Sequence, residues 1–197
     1  NIIETIPNAC RVCFTCVREC PAKAIKVIDG QAEIIADRCI LCGNCVMVCS
    51  QNAKQVQSIA GVIGTILDTS EPVVAIVAPT FAAEFDEYTL EEFVGTLKAI
   101  GFNYVVETAF GADVVAEEYR KKYENFSKDF LISTPCPAIV AYVEKFVPEL
   151  VGNLAEIVSP MLATARIAKK IYGTKAQVVF IGPCIAKKAE AKFDESH

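Results

Sequence analysis

Two stretches, CRVCFTCVREC from Cys10 to Cys20 and CILCGNCVMVC from Cys39 to Cys49, each carry four cysteines at the spacing C-x2-C-x2-C-x3-C. No other feature restricts the chain as strongly, because thiols set this close leave three chemistries: disulfides, zinc or iron–sulfur clusters. The opening NIIETIPNAC has neither the basic start nor the apolar stretch of an export signal. A cytoplasmic, reducing setting is therefore expected, and structural disulfides are not. Zinc sites use paired knuckles separated by a longer loop, so a third cysteine inside the same run is surplus. A cubane four-iron cluster takes three thiolates from one tight loop and a fourth from elsewhere. Two such runs in tandem point to two 4Fe-4S clusters.

The three-residue gap before the last cysteine, followed by Pro21, resembles the pattern of the bacterial two-cluster ferredoxins. In that pattern the fourth cysteine of each run serves the other cluster. The resemblance covers residues 1–57 and implies Cys10, Cys13, Cys16 and Cys49 at one cluster, and Cys39, Cys42, Cys45 and Cys20 at the other. The duplication runs past the ligands, since CPAKAIKV from Cys20 echoes CSQNAKQV from Cys49. Ser50 stands where the first copy has Pro21, which turns the chain but is no ligand. Between the copies, AIKVIDGQAEII alternates around Asp29–Gly30 and predicts a β-hairpin. Val12, Phe14, Val17, Ile40, Val46 and Val48, lying between the cysteines, are expected to cover the clusters as core.

Beyond this module the pattern changes. SIAGVIGTIL, inside an expected linker helix at 58–71, is apolar but too short to span a bilayer. The chain is 53% hydrophobic and 22% charged, as in globular domains, and 19 basic against 24 acidic residues give no electrostatic reason for nucleic acid or an anionic membrane as partner. No G-x-G-x-x-G or P-loop pattern marks a nucleotide site. Residues 72–197 then alternate: VVAIVAP, YVVET, FLIST and QVVFIG read as strands, with helical stretches between them capped by Thr89 and Gly101, and by Ser159–Pro160. That order predicts an α/β domain with a mostly parallel, doubly wound sheet, following an α+β ferredoxin-like module. In such sheets function gathers beyond the carboxyl ends of the strands. Cys136 in STPCPA and Cys184 in GPCIAKKAE fall there. Either one alone reads as a small buried hydrophobe; two at strand ends, in a chain with clusters, read as ligands. Lys187 and Lys188 alone would be surface lysines, and Glu190 a helix acid.

The combination resembles the iron-only (FeFe) hydrogenase family over nearly the whole chain. That family's T-S-C-C-P signature is met by STPCP at Ser133–Pro137, and its M-P-C-x-x-K-K-x-E by GPCIAKKAE at Gly182–Glu190. VAP at Val77–Pro79, ETAFGAD at Glu107–Asp113 and the Ser159–Pro160 pair follow the family's order. The resemblance implies that Cys136 and Cys184 are thiolate ligands of a catalytic 4Fe-4S cluster carrying a diiron unit. It implies that Lys187 hydrogen-bonds a cyanide ligand there, that Glu190 belongs to a proton path and that Pro79 lines the diiron pocket.

Two departures stand against these matches. Pro135 occupies the place of the family's proton-relay cysteine, and proline has no titratable proton. Gly182 replaces the methionine of the second signature. Members lacking the relay cysteine resemble a sensory type, so hydrogen or redox sensing with low turnover is expected. The second departure is the third signature: no cysteine follows Cys184, so two catalytic-cluster ligands are missing. With no starting methionine, the chain is expected to be a fragment truncated within its catalytic domain and inactive by itself as a hydrogenase, and His197 to be tail. Expected partners are a redox protein such as a ferredoxin or oxidoreductase, a downstream signalling domain, and hydrogen and protons as small ligands, in an anaerobic source. The alternative is a pure electron-transfer protein with a docking domain and no hydrogenase activity. A third class, the cytosolic iron–sulfur assembly proteins that resemble hydrogenases, is disfavoured by the complete eight-cysteine pattern.

Overall fold

The computed structural model describes residues 2–194. In chain order the elements are β1 (Ile3–Thr5), α1 (Thr15–Glu19), β2 (Ile25–Ile28), β3 (Gln31–Ile34), α2 (Asn44–Met47), β4 (Lys54–Val56) and α3 (Ala60–Leu67). There follow β5 (Val73–Val77), α4 (Phe81–Glu84), α5 (Leu90–Ile100), β6 (Tyr104–Glu107) and α6 (Thr108–Glu124). Then come α7 (Pro137–Phe146), a 3-10 helix at Pro148–Asn153, α8 (Pro160–Tyr172), β7 (Gln177–Ile181) and α9 (Lys187–Asp194). The chain divides into two compact units. One gathers the chain up to Ser58, Cys136–Leu154 and the segment from Cys184 onward; the other comprises Ile59–Pro135 and Ala155–Pro183. Among the described residues no helix is long and apolar enough to cross a membrane.

In the first unit β1 and β4 pair antiparallel, Ile3 opposite Val56, and so join the start of one cysteine repeat to the end of the other. The hairpin between the repeats forms as its alternation predicts, with Ile25 opposite Ile34 and Ile28 opposite Gln31. Asp29 and Gly30 both have positive φ, 47° and 71°, as a two-residue type I′ turn requires. The buried core here is made of Cys16, Cys20, Ala22, Ala24, Ile25, Ala32 and Ile40. These side chains are mostly small, so little apolar area holds the unit together.

The second unit carries a parallel three-stranded sheet in the order β6-β5-β7, with Val74 level with Tyr104 on one side and Val178 on the other. β5 is central, and all of its residues are buried, which explains its unbroken apolar run. α5 starts as its sequence predicts: Thr89 Oγ1 accepts from the Glu92 backbone N–H at 3.2 Å while Glu92 Oε2 accepts from the Thr89 N–H at 2.9 Å. Gly101, at φ 126°, ends it. Ser159 Oγ caps α8 by accepting from Leu162 N–H at 3.4 Å. α6 lies on α8 so closely that a Cβ on Gly111 would come within 2.1 Å of Thr164 Oγ1 and 2.5 Å of the Pro160 carbonyl oxygen.

One expected strand is absent from the sheet. FLIST makes only an isolated bridge at Ile132, whose carbonyl oxygen accepts from Ala155 N–H at 2.9 Å. The Thr134 N–H donates to the Tyr119 hydroxyl at 2.6 Å, and the next residue, Pro135, has no N–H to offer a ladder. A side chain thus takes the backbone group that a neighbouring strand would have used.

Candidate metal centres

Two cavities in the first unit are lined by cysteines, and each draws on both repeats. Cys10, Cys13, Cys16 and Cys49 line the first, with Lys54, Ala53 and Phe14 among its other walls. Cys20, Cys39, Cys42 and Cys45 line the second, together with Ile25, Ile40 and Gly43. Three thiols of each set come from one loop and the fourth from the far end of the other. Asn44 Nδ2 ties the loops together by donating to the Glu19 carbonyl oxygen at 2.8 Å.

The loops reach this shape through backbone conformations that recur at equivalent positions. Val12 and Leu41 both have positive φ, 53° and 57°, as do Phe14 and Gly43 at 61° and 82°, and Lys23 and Asn52 at 47° and 50°. For a β-branched residue such as Val12 this region is strained. Strain repeated in register at two sites marks a constraint of function more than of folding. Phe14 and Gly43 are the N-cap residues of α1 and α2.

Backbone N–H groups point at the sulfurs. Ala24 N–H donates to Cys20 Sγ at 3.2 Å and Ala53 N–H to Cys49 Sγ at 3.3 Å, the same contact in both repeats. Leu41 N–H donates to Cys39 Sγ at 3.4 Å. Such donors stabilise thiolate and raise the potential of a thiolate-bound centre. In the protein as it stands, burial pushes the Cys16 and Cys39 thiols up and Cys45 up to about 11. Cys13 moves the other way, lowered chiefly by the Thr15 hydroxyl, 3.5 Å from its sulfur. Thiols raised by burial release their protons when a cation takes their place, so metal binding and deprotonation are one event. Among the described residues no three His, Cys, Asp or Glu side chains converge as they would on a single ion. The cysteines instead surround cavities, and four thiols with N–H support around each fit the donor set of a four-iron cluster.

The second cavity is braced by segments that sequence reading assigned elsewhere. Lys145 Nζ, near the end of α7, donates to the Cys39 carbonyl oxygen at 2.8 Å. The Arg38 guanidinium lies over the Phe146 ring, 5.1 Å from its centroid. Ile185, next to Cys184, packs on Gly43, where an added Cβ would meet its Cδ1 at 2.7 Å.

Cys136 caps α7 from an extended conformation, with Pro137 in the first turn. Cys136 and Cys184 are both exposed and both belong to the first unit, beginning its second and third segments. Lys187 Nζ and Glu190 Oε2 pair at 2.7 Å with side chains only 12% and 15% exposed. Pro135 is half-buried, and Pro79, just past β5 in the second unit, is exposed. Gly182 has no room for a side chain: a Cβ would meet Phe180 Cζ at 2.7 Å and Ala78 Cβ at 2.9 Å. His197 lies outside the described residues. Two site residues escaped the sequence reading. Lys145 carried no signal, because nothing local links it to a loop more than a hundred residues away. Lys54 did, since the two repeats align it with an apolar residue.

Comparison with known proteins places both halves of the chain. The iron-only hydrogenase large subunit, C-terminal domain, matches residues 71–197, and the 4Fe-4S dicluster domain matches residues 2–50. The cytosolic Fe-S cluster assembly factor NAR1 of Yarrowia lipolytica is 29% identical over 106 residues, 50% of this chain and 22% of that protein. NAR1 of Encephalitozoon cuniculi is 24% identical over 188 residues, 87% of this chain and 49% of that protein. The NADP-reducing hydrogenase subunit HndD of Solidesulfovibrio fructosivorans is 26% identical over 178 residues, 77% of this chain and 30% of that protein. The chain spans less than half the length of each of these relatives.

Proposed function

Because the chain belongs to the iron-only hydrogenase large-subunit family, by the match over residues 71–197, we propose that it is an iron–sulfur electron-transfer protein of hydrogenase type, acting in hydrogen or redox sensing with low turnover. Cys10, Cys13, Cys16 and Cys49 hold one four-iron cluster; Cys20, Cys39, Cys42 and Cys45 hold the other, in a ferredoxin-like module. When bound, such clusters supply one-electron redox chemistry. The observation that carries this reading is the pair of cavities, each lined by four cysteines drawn from both repeats. Cys136 and Cys184 are the two thiols that remain, and they contribute to a third, hydrogenase-type centre with a diiron unit.

The polypeptide's own part in that chemistry is holding, orienting and limiting. Backbone N–H groups of Ala24, Leu41 and Ala53 fix three sulfurs in place. Lys187 and Glu190 form a mostly buried ammonium–carboxylate pair that can keep a proton at a fixed position near Cys184 in sequence. Pro135 limits turnover, because it offers no proton where the family's relay thiol stands. General acid delivery is typically worth about 10²–10⁴-fold, and its loss suits a reporter better than a producer of hydrogen.

Anaerobic reconstitution followed by iron and acid-labile sulfide analysis tests the two-cluster reading. About eight irons per chain in the two cavities supports it, and zinc in place of iron sinks it. Hydrogen turnover by the Pro135→Cys holoprotein tests the sensing reading: a rise of about tenfold or more supports a missing relay, and no change removes that argument. A second reading is a role in iron–sulfur assembly, favoured by similarity along 87% of the chain to an assembly factor. Transfer of iron and sulfide to an apo acceptor, with no electron-transfer activity toward a redox protein, would select it.

A further inference from the structure

The two cysteine repeats differ at one buried position. Aligning CPAKAI (Cys20–Ile25) with CSQNAK (Cys49–Lys54) puts Lys54 where the first repeat has Ile25. Both are buried, 4% and 7% exposed. Ile25 lines the cavity of Cys20, Cys39, Cys42 and Cys45, whereas Lys54 lines that of Cys10, Cys13, Cys16 and Cys49. An isoleucine therefore lines the cavity of one set of thiols and a lysine that of the other.

Lys54 Nζ donates to Thr5 Oγ1 at 2.5 Å and to the carbonyl oxygen of Ala32. Among the described residues no carboxylate pairs with it. A buried ammonium without a counter-ion is costly, and two neutral oxygens do not cancel a full charge. An ammonium has three donors, of which two are accounted for by these oxygens.

We propose that Lys54 is the buried counter-charge of the cluster held by Cys10, Cys13, Cys16 and Cys49, and that it raises that cluster's reduction potential above the value an isoleucine in its place would leave. The inference rests on the two-cluster reading above. One-electron reduction adds one negative charge to the site, taken from an external reductant, and makes or breaks no bond in the protein. Opposite unit charges about 10 Å apart, at an effective dielectric of about 20, change an equilibrium constant by more than tenfold. With the isoleucine on the other side, the first cluster is the one that keeps the electron, and the pair acquires a direction.

The test is a dithionite titration of the reconstituted full chain, followed by EPR, for wild type, Lys54→Gln and Lys54→Arg, with iron counted in each. Gln keeps a donor for Thr5 and Ala32 without the charge; Arg keeps the charge. With about eight irons in all three, Lys54→Gln should lower one midpoint by about 59 mV or more, a tenfold change for a one-electron couple, and move the other less. Lys54→Arg should stay near wild type. Unmoved midpoints at full iron content overturn the inference and leave the two-cluster reading intact, and so does an equal shift in Gln and Arg, which would mean a merely structural tether. Wild type without iron overturns both. Should Lys54→Gln fail to fold, wild type decides: two waves at least about 59 mV apart support the asymmetry, and a single unresolved wave overturns it.

Discussion

Lys145 Nζ donates to the carbonyl oxygen of Cys39 at 2.8 Å and, more weakly, to that of Ala36 at 3.4 Å. One end of α7 thereby grips the loop that opens the second cysteine run, while the other end begins at Cys136. The helix is a strut of ten residues, about 15 Å long, from a proposed catalytic ligand to a proposed cluster ligand. Lys145→Met should cost about 1 kcal/mol, the net worth of such a bond. Amide exchange at residues 36–39 should rise with it, and unchanged protection there would show the grip to be incidental.

The crossing of ligands between repeats can be read from paired mutants. Cys10→Ala with Cys49→Ala removes two thiols from one cavity, so about four of eight irons should remain. Cys20→Ala with Cys49→Ala removes one thiol from each cavity and should deplete both. If each run instead held its own cluster, both double mutants would deplete both sites, so the iron left in Cys10→Ala with Cys49→Ala decides between the two arrangements.

Removing iron should loosen the first unit far more than the second. The first unit's core is cysteine and alanine with few larger side chains, so the bound metal supplies much of its cohesion. The second unit has its own apolar core of Val73, Val77, Phe93, Leu97, Phe102 and Val179. Chelation under reducing conditions should speed exchange of the Ala24 and Ala53 amides, which donate to sulfur, and leave those of β5 protected. Equal loss of protection in both would show that they unfold together.

Gly111 lets α6 lie close against α8 in the second unit. Ala there would press on Thr164 and on the backbone of Pro160, with no flexible side-chain end to give way. Gly111→Ala should destabilise by about 1–3 kcal/mol by overpacking, visible as a lower denaturant midpoint at unchanged slope. A neutral result would mean that α8 can shift away freely.

The Thr89–Glu92 capping box gives the second unit an acid limb. Hydrogen bonds from the Thr89 backbone N–H and hydroxyl hold the Glu92 carboxyl below its ordinary value. A carboxyl lower in the folded than in the unfolded state stabilises above its unfolded pKa and loses that contribution as pH falls through its folded one. Thr89→Ala should therefore flatten the stability profile below the ordinary carboxylate range. An acid limb of unchanged steepness in unfolding curves would assign it to other groups.

Much of the molecule is legible locally. The hairpin at Asp29–Gly30, the caps at Thr89 and Ser159 and the buried run of β5 follow from residues within a turn or two of one another. FLIST does not become a strand of the sheet because its outcome depends on Tyr119, a side chain on α6 that takes the Thr134 N–H from any neighbouring strand. The cysteine spacing told which chemistry to look for, since ligands three residues apart must lie on one tight loop whatever surrounds them. It could not tell that α7 braces the Cys39 loop, or that Lys54 would be buried. Those depend on which distant segments share an interior. Local sequence determined the loops, turns and candidate ligands here because short-range sterics and hydrogen bonds decide them. Only the tertiary structure decided which charge faces which set of thiols, because burial is a property of the packed chain and not of any stretch of it.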